Sequence, residues 1–255
     1  MMNTTERIQT ITSWISDYAK ANNIDSLVVG VSGGIDSAVV STLCALTGIQ
    51  TYVLTMPIRQ RQDQHDRSIN HCITLLEKHD NVHWDTIDLT TTFETFEKLF
   101  PANNKLALAN SRARLRMTTL YQVAQEHHGI VVGTGNKVED FGVGFYTKYG
   151  DGGVDISPIA DCLKTEVWAM GRELGVNQDI IDAAPTDGLW DDDRTDERQL
   201  GMTYPELEQA MKHSEQDTKP TDTKELKNLM KFLSRQQKAK HKMDPIPVCM
   251  LGDKE

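Results

Sequence analysis

The chain has 255 residues, of which 38% are hydrophobic and 25% are charged. This composition is typical of a globular protein and excludes collagen-like, mucin-like and wholly disordered chains. The net charge of −10 disfavours broad binding to nucleic acid or to an anionic membrane surface, but it permits a local basic pocket for a small phosphate ligand.

Location in the cell is indicated by the absence of targeting features. The chain opens without a basic and apolar leader, and no apolar run approaches the roughly 18 residues that a membrane-spanning helix needs. Its 4 cysteines stand far apart, without a C-x-x-C motif. We therefore predict a cytoplasmic protein with buried free thiols and no membrane contact.

Helices and strands alternate along the first half of the chain. Apolar residues at helical spacing predict an amphipathic helix over residues 4–22, and a β-branched run predicts a buried strand at 26–31. Strands separated by helices form right-handed βαβ units. The predicted fold class is α/β: an open, mostly five-stranded, Rossmann-like parallel sheet with helices on both faces. The further predicted helices are 36–46, 63–78 and 103–127, and the further predicted strands are 51–56, 82–89 and 129–133.

The pattern changes after residue 133. Five glycines fall between residues 142 and 153 and predict a loop. A helix is predicted at 164–174, before a polar, acidic stretch at 183–198, and two more are predicted after it, at 204–211 and 223–232. No change in composition is sharp enough to mark a second domain, so we expect one domain over residues 1–255.

The segment between the first strand and the second helix is the most informative one. Adjacent glycines let backbone N–H groups approach an anion, and the helix that follows directs the positive end of its dipole at the same point. The segment is neither a Walker A loop nor a G-x-G-x-x-G fingerprint. We predict a phosphate-binding loop here rather than a plain βα turn. Its residues are Gly30, Val31, Ser32, Gly33, Gly34, Ile35, Asp36 and Ser37.

Asp36 adds a metal to this prediction. A carboxylate beside a bound pyrophosphate would be repelled unless a cation lay between them, and Mg²⁺ commonly bridges carboxylates to substrate phosphates. An aspartate in the first turn of a helix is also favoured by the helix dipole alone. Both roles can hold together.

The string from Ser32 to Ser37 resembles the loop of the ATP-pyrophosphatase superfamily, whose members cleave ATP between its α and β phosphates. Further strings resemble the NAD synthetase family within it, and the resemblance extends from residue 32 to residue 242. It implies an adenine nucleotide α-hydrolase-like fold. The strings are residues 113–117, 131–139, 145–158 (with Tyr146 where Phe is common) and 184–190, together with Lys164 and the pair His241–Lys242.

The resemblance implies a reaction. ATP and Mg²⁺ would drive the amidation of deamido-NAD by ammonia to NAD, through an adenylated carboxylate, with release of AMP and pyrophosphate. This is the last step of NAD biosynthesis. The resemblance also implies a homodimer, and the length leaves no room for a glutaminase domain, so free ammonia is the expected nitrogen source.

Site residues are carried over one by one. Glu139 follows a strand end as Asp36 does, and parallel strands end at one edge of a sheet, so the two carboxylates are expected to share Mg²⁺. The expected catalytic residues are Asp36, Lys164 and Asp151. The resemblance assigns residues 30–37, Thr134, Lys164 and Thr186 to ATP, and Arg114, Lys148, Asp155, His241 and Lys242 to deamido-NAD.

Several of these assignments have plainer alternatives. Glu139 could be a solvated carboxylate in the first turn of a helix that begins near Asn136, where the helix dipole favours it. Lys148 and Lys164 could be solvated side chains. Arg114 and Arg116 do not share a helix face, so one could hold a substrate phosphate while the other forms a surface ion pair. The glycines at 150–153 could form a disordered loop, although we favour a mobile lid. Asp151 or Asp155 could deprotonate ammonium.

Two other functions stay open. One is another amide- or thio-forming enzyme of the same superfamily, acting on a nucleotide or on tRNA, which the acidic net charge disfavours. The other is a non-catalytic module that binds ATP. The acidic residues at 187 and 191–193 depart from the family pattern next to Thr186, which leaves that wall of the site undefined.

Overall fold

A parallel sheet lies at the centre of the computed structural model, which describes residues 2–100, 104–186 and 195–251. Its spatial order is β3-β2-β1-β4, and every neighbouring pair is parallel. This order confirms the predicted open α/β fold. The strands are β1 (Ser26–Gly30), β2 (Gln50–Thr55), β3 (Val82–Thr86) and β4 (Gly129–Val131).

The sheet of the described residues has four strands rather than five. No segment was assigned to the fifth strand, and just after β4 Val132 forms a single parallel bridge to Ile156. The carboxylate of Asp155 accepts a hydrogen bond from the Val131 N–H at 2.7 Å, so a side chain takes a position that a strand backbone would otherwise occupy. Pro158, which lacks an N–H group, follows closely.

The helices agree with the predicted alternation, with three further short helices, one π-helix and one extension. The short helices α4, α7 and α8 were not predicted. The helix that one interpretation of Glu139 placed near Asn136 is a π-helix at Lys137–Val143. The last helix continues beyond residue 232, because no proline interrupts it before Pro245 and basic residues favour its C-terminal end. The α-helices are α1 (Thr4–Ala21), α2 (Ile35–Leu46), α3 (Gln62–Lys78), α4 (Thr90–Glu97), α5 (Lys105–Glu126), α6 (Lys164–Glu173), α7 (Gln178–Ile181), α8 (Asp196–Leu200), α9 (Tyr204–Glu215) and α10 (Thr223–Met243).

Two apolar cores cover the two faces of the sheet. Successive residues of β1 point to opposite faces, so Val29 packs among residues of α1, α2 and α6 while Val28 packs against α4 and α5. A third cluster joins the π-helix to α9 and α10 through Val138, Leu207 and Phe232. This third cluster fixes the wall of the molecule that faces the carboxyl ends of the strands.

The cysteines follow the prediction with one exception. Cys44, Cys72 and Cys162 are buried free thiols as predicted, but Cys249 is exposed because it lies in the extended segment after α10. Within the three described ranges, no helix combines the length and the apolar character that crossing a bilayer requires.

Candidate functional site

A cleft of about 280 Å³ opens at the carboxyl end of the sheet. The loops that follow β1, β2 and β4 line it, because parallel strands end at the same edge. All eight residues of the predicted phosphate loop face it, and so do Thr134, Glu139, Asp151, Lys164 and Thr186. The structure therefore brings most of the predicted ATP, metal and catalytic residues to one place.

The phosphate loop is held in shape by its own polar groups and by α3. Gly33 has a φ of +84°, and a Cβ there would lie 2.5 Å from the Gln64 backbone oxygen. Only glycine fits such a turn. The Ser32 and Ser37 hydroxyls bond to each other at 3.1 Å, and Ser37 donates to the Gly34 oxygen at 3.0 Å. An anion on this loop would exchange some of these internal contacts for its own.

The first amides of α2 point into the same cleft. Gly34 precedes the helix and provides no side-chain cap. Within the part of the chain that the structure describes, the N–H groups of Ile35, Asp36 and Ser37 have no protein acceptor, as is usual for a first helical turn. Free amides at the positive end of a helix dipole are suited to phosphate oxygens.

A buried lysine joins the two predicted metal ligands. The Lys164 ammonium, only 1% exposed, donates to Asp36 at 2.6 Å and to Glu139 at 2.9 Å. Its carboxylate partners come from α2 and from the π-helix, while Lys164 opens α6. The two carboxylates therefore converge as predicted, but in this structure the cation between them is the lysine.

The electrostatics of this group keep the lysine charged. Burial by itself lowers the pKa of Lys164, but the charges of Asp36 and Glu139 outweigh burial and raise it above the usual value. Tyr204 completes the group, because its hydroxyl donates to Glu139 and its ring lies 4.8 Å from the ammonium. Burial, followed by the charge of Glu139, raises the pKa of Tyr204.

The pair of carboxylates fits a divalent cation that arrives with a nucleotide. Asp36 and Glu139 each place an oxygen within 2.9 Å of the Lys164 nitrogen, so the two carboxylates lie close enough together to share a cation. Across the described ranges, no group of three or more His, Cys, Asp or Glu side chains is arranged to hold a metal ion. The remaining ligands would be phosphate oxygens and water, which is how Mg²⁺ is usually held.

Asn136 links the two carboxylate-bearing elements, and sequence reasoning missed it. Its side-chain oxygen accepts from the N–H groups of Val138 and Glu139, and its amide donates to Asp36 at 3.2 Å. It is completely buried. A polar residue directly before a helix start is a capping signal, so the sequence did contain a pointer to it. Tyr204, which lies 65 positions from Glu139 in the chain, had none.

The predicted deamido-NAD residues fall into two places. Arg114 donates to the Lys148 oxygen at 3.2 Å, and Lys148 donates to the His241 oxygen at 3.4 Å. Lys242 donates to the Gly144 and Tyr146 oxygens, the latter at 2.7 Å. These four residues gather where the end of α10 meets the segment after the π-helix, beside the cleft rather than lining it.

Asp151 and Asp155, the two candidates for ammonium, are separated. Asp151 lines the cleft and accepts from the Thr147 N–H at 3.1 Å. Burial raises its pKa above the usual value. Asp155 instead binds the Val131 N–H and the Tyr121 hydroxyl at the edge of β4. Of the two, only Asp151 is placed to meet a ligand in the cleft.

Two glutamines form part of the wall around Thr186. Gln64 of α3 donates to the Thr186 hydroxyl at 3.2 Å, and Gln60 donates to the Ser32 oxygen at 3.1 Å. Neither glutamine was predicted to line the site. The unusual acidic residues at 187 and 191–193 lie outside the described residues.

Comparison with known proteins agrees with this geometry. The chain matches the NAD synthase family model over residues 7–245. It is 37% identical to an NH(3)-dependent NAD(+) synthetase of Alkaliphilus metalliredigens, over 94% of this chain and 97% of that one. A counterpart in Archaeoglobus fulgidus is 34% identical over 99% of both chains. The structure of an NMN synthetase from Francisella tularensis superimposes with a TM-score of 0.86 at 31% identity, covering 98% of this chain and 99% of the other. The chain belongs to the NAD synthase family.

Proposed function

We propose that the cleft amidates deamido-NAD with ammonia to give NAD, in a reaction driven by ATP. The observation that carries this proposal is the convergence of Asp36, Glu139 and Lys164 beside a loop of free amides. Names of relatives that are 34–37% identical over nearly the whole chain support it. The chain is a ligase that forms a carbon–nitrogen bond.

The reaction proceeds in two transfers. An oxygen of the nicotinate carboxylate attacks the α-phosphorus of ATP, the bond from that phosphorus to the α–β bridging oxygen breaks, and pyrophosphate leaves with the electron pair. Ammonia then attacks the acyl carbon, AMP leaves, and a proton is lost from nitrogen. Both steps need charge neutralisation and positioning more than a protein nucleophile.

The chain's residues supply that positioning. The amides of the phosphate loop hold the phosphates, and Lys164 keeps Asp36 and Glu139 pointed at one place. We assign Mg²⁺ to those two carboxylates, where it would neutralise charge that develops on pyrophosphate. A direct contact between Lys164 and ATP stays a prediction, since its ammonium is already shared by two carboxylates.

Ammonia and its proton are assigned to Asp151. Its carboxylate lies in the cleft and its pKa is raised by burial, which suits a group that takes a proton from ammonium. Free ammonia is the proposed nitrogen source, within a single synthetase domain. Replacement of Asp151 by Asn should slow amide formation from the adenylate while the first-turnover release of pyrophosphate is kept.

The test is a reconstitution with purified protein, ATP, Mg²⁺, ammonium and deamido-NAD, followed by chromatography of the nucleotides. Formation of NAD and AMP in equal amounts is expected, and glutamine should not replace ammonium. A protein that binds ATP but forms no AMP with any acid would be a binding module instead.

A second acid is tested in a parallel reaction. The similarity to an NMN synthetase structure favours nicotinate mononucleotide as an alternative substrate, because amidation of that acid gives NMN. Equal concentrations of the two acids, offered together, should yield mainly NAD. Preferential formation of NMN would keep the chemistry and change the substrate.

A homodimer and a cytoplasmic location complete the proposal. The support for the dimer is the family resemblance, and light scattering at assay concentration tests it. Full activity at a monomeric mass would contradict it.

A further inference from the structure

Arg116 is a cationic side chain of the cleft that has no ion-pair partner among the described residues. Three cationic side chains line the cleft within the described residues: Lys164, Arg67 and Arg116. Lys164 is shared by two carboxylates. Arg67 forms an ion pair with Asp63 at 3.1 Å, and its Nε donates to the Gly33 oxygen at 3.5 Å.

Arg116 has a different environment. Its Nε donates to the Met56 oxygen at 2.9 Å, just after β2. Among the residues that the structure describes, no carboxylate oxygen lies within 4.0 Å of its guanidinium, which is the limit for an ion pair. Burial, and then the charge of Arg112, lowers its pKa to about 10, and Asp151 offsets this only in part. A half-buried guanidinium without a counter-ion is unfavourable unless an anion arrives.

The surroundings of Arg116 suit a ring that carries an anionic group. Ala113, Met117 and Leu120 of the same helix also line the cleft, as do Met56 and Val154. Arg114, two residues away, faces elsewhere and is exposed. Of the two arginines whose roles the sequence left open, Arg116 is therefore the one that lines the cleft.

We propose that Arg116 binds a substrate oxyanion at the reacting centre, through the two terminal nitrogens that Met56 leaves unused. The oxyanion is either the carboxylate of the nicotinate ring or the α-phosphate that it attacks. A planar guanidinium can bind either of them with two parallel hydrogen bonds. Such a contact would offset the repulsion between the two anions as they meet. This inference rests on the proposed function.

The experiment compares Arg116→Lys, Arg116→Gln and Arg116→Met with the wild type. Lysine keeps the charge, glutamine can keep a hydrogen bond to the Met56 oxygen without the charge, and methionine keeps neither. Oxyanion binding predicts that Lys retains more kcat/KM than Gln, and that Gln and Met both lose about ten- to a hundredfold. Arg172→Met, on the exposed side of α6, is the control and should match the wild type.

Binding measurements identify the anion. The dissociation constants for ATP with Mg²⁺ and for deamido-NAD are measured separately by calorimetry. Weaker binding of ATP alone assigns Arg116 to the α-phosphate, and weaker binding of the acid alone assigns it to the carboxylate. A fall in kcat with both constants unchanged assigns it to the transition state.

Two results would overturn the inference. One is a kcat/KM for Arg116→Met within twofold of the wild type. The other is a Gln variant as active as the Lys variant or more so, which would leave Arg116 only a structural bond to Met56. An inactive wild type would refute the proposed function instead, and the separate binding measurements would still test Arg116.

Discussion

Lys164 shows how a single residue can organise this cleft. An ammonium that is 1% exposed is stable in the fold only because two carboxylates lie within 2.9 Å of it. The carboxylates in turn belong to α2 and the π-helix, so the lysine fixes two elements relative to each other. A surface lysine, which is the usual fate of this residue type, would do neither.

Replacement of Lys164 by Met should therefore destabilise the protein as well as inactivate it. Two carboxylates would be left without their cation, and breaking a buried ion pair in this way costs about 3–5 kcal/mol of unfolding free energy. Urea unfolding measures the loss. The matched control is Lys137→Met, because Lys137 bridges Asp161 and Glu215 at the surface and should lose less than about 1 kcal/mol. Equal losses in the two variants would contradict the special place of Lys164.

Gly33 offers a second test at the scale of one residue. Its positive φ and the close Gln64 oxygen both oppose a side chain. Gly48 has a φ of +75°, and a Cβ added there would meet nothing within 4 Å, so Gly48→Ala meets only the backbone penalty of about 1–2 kcal/mol. Gly33→Ala should lose more stability than this and should also weaken ATP binding. A Gly33→Ala variant that binds ATP normally would argue against the phosphate loop.

At the scale of whole helices, α3 contacts α2, the helix that begins at the phosphate loop. His71 of α3 is 2% exposed and bonds to the Ser41 hydroxyl of α2 at 2.9 Å. Ser41 also donates to the Ser37 oxygen at 2.7 Å. The contact connects α3 to the first turn of α2, whose free amides face the cleft.

This contact predicts a pH dependence of stability. Burial, and then the charge of Lys78, lowers the pKa of His71 from 6.5 to about 4. Between pH 6.5 and about pH 4 this imidazole binds a proton in the unfolded chain but not in the folded chain, so stability falls as pH falls through this window. The loss attributable to His71 reaches about 3 kcal/mol. Between pH 7 and about pH 4.5, His71→Gln should lose less free energy of unfolding than the wild type, as measured by urea unfolding at both pH values. The exposed His83→Gln should follow the wild type. Parallel slopes for His71→Gln and the wild type would contradict the assignment.

The sequence predicted those helices and strands whose hydrophobic periodicity is regular. Strand β1 and helix α2 follow from a β-branched run, a glycine pair and helical spacing. The π form of the helix after Asn136 was not predicted, because its seven residues are too few to show a period. Helix α4 was missed for a similar reason, since it buries only Phe93.

For the whole molecule, the site was predictable to the extent that it lies at strand ends. The rule that parallel strands end together placed Asp36 and Glu139 side by side, 103 positions apart in the chain. The sequence placed Lys164 in the site and carried a capping signal at Asn136, but their contacts with the two carboxylates, and that of Tyr204, were not predictable because they form only through tertiary packing. The position of the Arg114 group beside the cleft likewise depends on how α10 packs against residues 144–148.

The central claim is that Asp36 serves the adenylation step at this cleft, and the release of pyrophosphate tests it most directly. Wild type and Asp36→Ala are mixed with ATP, Mg²⁺, deamido-NAD and ammonium, and pyrophosphate and AMP are followed over time, with circular dichroism confirming that the variant stays folded. We predict steady release by the wild type and background release by Asp36→Ala, which removes one carboxylate from the Lys164 ammonium and leaves Glu139 as its partner. A folded Asp36→Ala variant that releases pyrophosphate at nearly the wild-type rate would contradict the account.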